Sequence, residues 1–269
     1  MALRELWNFV CSNEGYPAVV QLPHAIAACT SYRRSFAPAD YLALPSWQTI
    51  IAAYFVHGYG GSTCRDILLG KSPGLASHRN LVQYYLLGWA LTHYAPSDYI
   101  FQAMQRRGDP LRLAVTLFEA LDCVTALTGA FDQGAARFPA APAAPYTAAL
   151  ASALGGSVFR YLERKGRGMD EVKTEWCHPT GGIQRGVFYI ALYALLRRAA
   201  GARAGRVACA ALFCAVAMMR ELRGDGGPDP AAACVDAALD AGGKVAAAFG
   251  LGPPPPRAAA TTRCEKDDD

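Results

Sequence analysis

The sequence predicts an all-α membrane protein of seven spanning helices, built as two inverted three-helix repeats plus one helix. Three observations carry this. The chain of 269 residues is 52% hydrophobic and only 18% charged, below the roughly 25% charged share usual in soluble domains. Its charges are also spaced in blocks: no Asp, Glu, Lys or Arg falls between Glu14 and Arg33, or within 41–64, 80–97 or 138–159, runs close to the roughly 17–25 residues a spanning helix needs. Finally, Gly60-Gly61-Ser62-Thr63-Cys64-Arg65 recurs as Gly155-Gly156-Ser157-Val158-Phe159-Arg160, four of the six positions being identical.

The N-terminal segment 1–15 is short and mixed, with Trp7 and Phe9 placed as interfacial anchors. The first repeat covers 16–103. Its first span, 16–32, contains Pro23 and His24 and stops at Arg33-Arg34. The second begins at Pro45, a good first helical residue, and meets the glycine pair after His57. The third carries Tyr84-Tyr85-Leu86-Leu87-Gly88-Trp89-Ala90-Leu91 and ends at Pro96-Ser97-Asp98.

The second repeat covers 110–198. Span four, 111–131, is apolar except for Arg112, Glu119 and Asp122, and an Ala/Pro-rich linker, 138–145, leads into span five with the second glycine pair. Span six matches span three at Tyr85/Tyr189, Ala90/Ala194 and Leu91/Leu195. Because each copy contains an odd number of crossings, the second enters the membrane from the opposite side, a ground plan of channels and transporters. A seventh helix over 204–223 lies outside the duplication, and 224–269 reads as a surface helix over 229–249 followed by a disordered tail.

An interior glycine costs a helix about 1 kcal/mol, so the repeated pair predicts a break in helices two and five. Interrupted backbone survives at membrane depth only inside protein or beside water, which makes Gly60, Gly61, Ser62, Gly155, Gly156 and Ser157 the candidate pore lining, with Ser62 and Ser157 offering hydroxyls to a cation. The competing expectation is that each pair lets two helices approach closely. Glu119 and Asp122 share a face of span four and attract cations in this reading, or pair with Arg112 or another helix. Arg65 and Arg160 follow the breaks, at a pore mouth or as interfacial anchors.

Other chemistries fail on inspection. Gly70-Lys71-Ser72 lacks the first glycine of a phosphate loop, whose place is taken by Arg65, and neither H-E-x-x-H nor G-x-S-x-G occurs. No enzyme is expected. The nine cysteines form no C-x-x-C pair, so no metal site or disulfide framework is expected. A net charge of +4 is scattered rather than clustered, which argues against nucleic acid. An all-helical soluble domain, an inverted-repeat secondary transporter of a small polar solute and a non-conducting membrane scaffold remain the alternatives.

At these residues the sequence resembles the trimeric intracellular cation channel family. His57-Gly58-Tyr59-Gly60-Gly61-Ser62 is similar to that family's His-x-x-Gly-Gly helix break, and Tyr94-Ala95-Pro96-Ser97-Asp98 to its Cys-Pro-x-Asp turn. Gly155-Gly156-Ser157 with Leu162-Glu163-Arg164, then Glu175-Trp176 and Pro179, resembles its second half. The resemblance implies a homotrimer with one pore per protomer, in endoplasmic or sarcoplasmic reticulum or nuclear envelope, the N-terminus in the lumen. It implies flux of potassium and other monovalent cations that balances charge during calcium release. Membrane lipid is the other implied partner, and a bound phospholipid the one accessory ligand. The family's Lys-Glu-Val-x-Arg motif, whose basic residues bind an inositol phospholipid, falls on Phe118-Glu119-Ala120-Leu121-Asp122. Both basic positions, Phe118 and Asp122, are altered. Phosphoinositide binding there is therefore not supported, and the site is the more attractive to cations.

Overall fold

The computed structural model describes residues 2–12, 17–77, 79–168 and 181–223, with 233, 234, 236, 237, 240 and 241 beyond them. Every regular element among the described residues is helical. Helix α1 (Ala2–Ser12) precedes α2 (Ala18–Arg34), where the Pro17 carbonyl accepts from the Val20 and Gln21 amides. Short α3 (Pro38–Leu42) leads to a second span in three pieces: α4 (Ser46–Ile51), a π-helical turn over Ala52–Gly58, and α5 (Gly60–Leu68).

The short α6 (Gly74–Ser77) then leads to α7 (Arg79–Tyr94), the turn at Pro96–Asp98 and α8 (Tyr99–Gln105). Pro96 cannot continue the ladder, and Ser97 and Asp98 turn the chain through the left-handed region (φ 53 and 58). Asp98 is then in place to take both guanidinium nitrogens of Arg33 at 2.7 Å. Arg33 is thus more than a stop signal. It ties the end of α2 to the end of α7 by a bidentate, charge-assisted pair.

Helix α9 (Pro110–Arg137) opens with Asp109 accepting the Leu111 amide at 2.9 Å, and Pro110 follows as the first helical residue. Then come α10 (Ala144–Gly166), α11 (Gly181–Ala200) and α12 (Ala202–Arg223). Gly201 (φ 85) reverses the chain between the last two, a conformation that glycine adopts at no steric cost.

Of the four apolar clusters among the described residues, two anchor the two halves of the bundle. Ala25, Ala28, Tyr54, Tyr59, Leu81 and Tyr85 unite α2, the second span and α7. Val124, Phe131, Ala149, Tyr189, Tyr193 and Cys209 unite α9 to α12. Tyr85 and Tyr189, matched in sequence, are each buried in their own half. Asp132 clamps the second half, accepting from Tyr193 Oη at 2.5 Å, Arg197 Nε at 2.7 Å and Arg206 Nη2 at 2.6 Å.

Some expectations need correction. Phe9 is buried against the bundle rather than placed at a surface; Trp7 is exposed, with the Arg203 guanidinium over its ring at 5.6 Å. Among the described residues, two stretches are long and apolar enough to cross a membrane, Pro110–Arg137 and Ile183–Arg223, each with an 18-residue window of mean hydropathy 1.5. The second is divided at Gly201 into α11 and α12. Of the other expected spans, the second is interrupted, α10 is long enough at 23 residues but less apolar, and α2 and α7 have 17 and 16 residues, about 25 Å each at a rise of roughly 1.5 Å per residue. The expected surface helix over 229–249 and tail, and Glu175, Trp176 and Pro179, lie outside the described residues except at 233, 234, 236, 237, 240 and 241.

Candidate functional site

The two glycine copies face each other where α5 crosses α10. A Cβ built on Gly61 would lie 2.1 Å from the Ser152 carbonyl oxygen, one on Gly155 2.6 Å from Cys64 Cβ, and one on Gly60 3.1 Å from Gly156 Cα. The helices therefore touch backbone to backbone. The expectation of two broken helices is corrected here. Helix α10 runs unbroken through Gly155 and Gly156, and in the second span the irregularity lies before the pair, in the π turn and at Tyr59 (φ −108, ψ 13). Gly60 and Gly61 are themselves helical. Their role is close approach, as small residues allow between packed helices.

Beside this crossing lies a cavity of about 550 Å³. The second span supplies Gly58, Tyr59, Gly61, Ser62 and Arg65 to its wall, and α10 supplies Ser152, Gly156 and Arg160. Gly156 is the open member of the four glycines: the nearest atom to a Cβ there is Arg160 Nη1, at 3.7 Å. From α9 come Glu119, Asp122 and Cys123, from α2 His24, and from α11 Arg185.

The two serines are engaged locally. Ser62 Oγ donates to the Tyr59 carbonyl at 3.0 Å, bridging the irregular junction, and Ser157 Oγ accepts from Arg160 at 3.1 Å. Arg65 is buried and pairs with Asp66 at 2.7 Å; Asp66 in turn accepts the Gly74 amide at 2.8 Å. That pairing makes Arg65 part of the frame, without the interfacial exposure of a snorkelling side chain.

Glu119 and Asp122 come together on one face of α9, and of the two expected pairings, with Arg112 or with another helix, the contacts are to another helix, α2. Arg112 Nη2 is held by Glu221 at 3.1 Å. The imidazole of His24 sits between the acids instead, with Nδ1 2.6 Å from Glu119 Oε2 and 3.6 Å from Asp122 Oδ2. Its Nε2 faces the Gly58 carbonyl at 3.3 Å. Gln21 donates to Asp122 Oδ1 at 3.0 Å and accepts from the Tyr59 hydroxyl. The cluster thus joins α2, α9 and the π turn. Among the described residues no group of three or more His, Cys, Asp or Glu is arranged to hold a metal ion. Phe118 is half-buried and outside the cavity wall, whereas Asp122 is on it.

His24 and Gln21 were not singled out by sequence reasoning. They lie 95 and 101 residues from their acidic partners, and the one local signal is two polar residues inside an uncharged run. His57 lines the same cavity, with Nδ1 3.3 Å from Ser31 Oγ and its ring edge-on to Tyr32.

No protein-family profile and no curated protein sequence matches the chain. Solved structures do match in shape. A trimeric intracellular cation channel from C. elegans without Ca2+ superposes with a TM-score of 0.68 at 16% identity, over 85% of this chain and 100% of that one. The same type of C. elegans channel with bound Ca2+ gives 0.65 at 14% identity, over 82% and 97%. A structure described as the basis for activity of TRIC counter-ion channels in calcium release gives 0.66 at 16% identity, over 76% and 92%. The chain shares the fold of these channels over most of its length.

Proposed function

We propose that the chain is an integral membrane protein that conducts monovalent cations, potassium foremost, through a pore in each protomer of a homotrimer. The observation that carries this reading is the polar cavity beside the α5–α10 crossing, walled by Glu119 and Asp122, in a chain with the fold of cation channels. Carboxylates facing a cavity of this size favour cations through their local field, against which stand Arg65, Arg160 and Arg185 on the same wall. Exposed Leu86, Leu87, Leu117, Leu195 and Leu212 on the outer helix faces suit contact with acyl chains or with a second copy.

The two inverted three-helix repeats belong to this proposal, supported by the meeting of the two glycine copies and by the burial of Tyr85 and Tyr189 in separate halves. So do residence in endoplasmic or sarcoplasmic reticulum or nuclear envelope and a counter-ion role in calcium release, supported by the likeness to channels so described. A phosphoinositide site at Phe118 and Asp122 is not part of it, because a carboxylate repels a phosphate headgroup. Recording from the purified full chain in planar bilayers, in potassium against sodium, tests the reading: unitary cation currents are expected. Saturable solute uptake at turnover rates would identify a transporter instead, and silence in both assays would identify a scaffold.

A further inference from the structure

Both ring nitrogens of His24 face oxygens: Glu119 Oε2 on one side and the Gly58 carbonyl on the other. A backbone carbonyl can only accept, and so can an ionised carboxylate. Asp122 is itself held as an acceptor, because the Gln21 amide, oriented by the Tyr59 hydroxyl, donates to it. Glu119 Oε1 accepts from Cys123 Sγ at 3.8 Å. The remaining neighbours of the imidazole are the rings of Tyr59 and Tyr85, edge-on at 5.5 and 6.1 Å, and Arg65, Arg160 and Arg185 stand further along the same wall. With Glu119 ionised, both ring nitrogens of His24 therefore meet acceptors and call for a donor, and the residue is 6% exposed.

We infer that His24 is a tethered cation: an imidazolium that donates from both nitrogens, cancels one of the two carboxylate charges in the cavity, and thereby sets how strongly the cavity selects cations. A mobile cation entering the cavity meets a net charge of about minus one from this cluster instead of minus two. The side chain also fastens the acidic face of α9 to the carbonyl of the π turn, so the charge and the irregular backbone are coupled. The consequence for conduction rests on the channel reading above; the protonation state does not.

Two measurements decide the matter. The chain has five histidines, few enough for 15N-histidine NMR on the full-length protein in nanodiscs, with His24→Gln identifying the His24 signals. Two protonated ring nitrogens are expected at pH 7, and a neutral tautomer overturns the inference. In reconstituted protein, His24→Gln removes the tethered charge. At a separation of about 7 Å, even the dielectric of water makes one unit charge worth about a threefold change in local cation occupancy, so the cation-over-anion permeability ratio should rise about threefold in dilute salt and converge with the parent at high salt. Asp122→Asn should lower it by a similar factor. Equal ratios in parent and His24→Gln overturn the inference while leaving the channel reading intact; no current in any form overturns the channel reading and leaves the NMR result to decide the state of His24.

Discussion

The two glycine copies are nearly the same in sequence and different in structure. The first follows a π turn and an irregular Tyr59; the second lies inside a continuous helix of 23 residues. The difference comes from what precedes them. Before Gly60 stand Tyr54-Phe55-Val56-His57-Gly58-Tyr59, aromatic, β-branched and glycine residues with poor helix propensity. Tyr54, Tyr59 and Tyr85 pack ring on ring, with Tyr54 and Tyr85 centroids 4.8 Å apart, and Gly58 leaves room for the Tyr85 hydroxyl. Before Gly155 stand Leu150-Ala151-Ser152-Ala153-Leu154, mostly strong helix formers, which carry the helix through. A glycine pair permits a break without imposing one. What both copies share is backbone contact with the other.

Alanine substitutions break this comparison apart. The largest effect is expected at Gly61, where a Cβ would lie 2.1 Å from a backbone oxygen that cannot swing away. Gly61→Ala should cost about 3 kcal/mol, at the upper end for overpacking, read as a loss of thermal stability in detergent. Gly155→Ala should cost less, about 1–2 kcal/mol, because its obstacles, Cys64 Cβ and Sγ at 2.6 and 2.8 Å and the Gly60 carbonyl oxygen at 3.1 Å, stand farther off. Adding Cys64→Gly should restore part of that loss in a double-mutant cycle. Gly156→Ala should be the smallest effect and of opposite sign: with nothing closer than 3.7 Å, it should gain about 0.5–1 kcal/mol in helix propensity. Equal shifts at all three positions would show that the helices do not cross as described.

Much of the helix order was legible because it is written locally. Runs without charge mark the spans, Asp109-Pro110 opens α9 by its own capping chemistry, and Pro96 ends α7. The meeting of the glycine copies was legible too, since a motif used twice implies a shared contact. The continuity of α10 was not, because helix propensity over the five preceding residues outweighs the glycine pair. Nor was the His24 cluster, whose members lie on separate helices and acquire their roles only when α2 packs on α9. Asp132 is a similar case: three partners on α11 and α12 converge on it, and no spacing in the sequence announces them.

The account stands on ions passing through the cavity beside the α5–α10 crossing. Gly156 packs its Cα against Gly60 in the crossing but leaves its own Cβ direction open to that cavity, so the most direct measurement is single-channel current through purified Gly156→Leu beside Gly156→Ala, both checked for parent-like thermal stability. The account predicts that the leucine variant loses most of its conductance while the alanine variant keeps it. Undiminished current through a stable Gly156→Leu protein would contradict it.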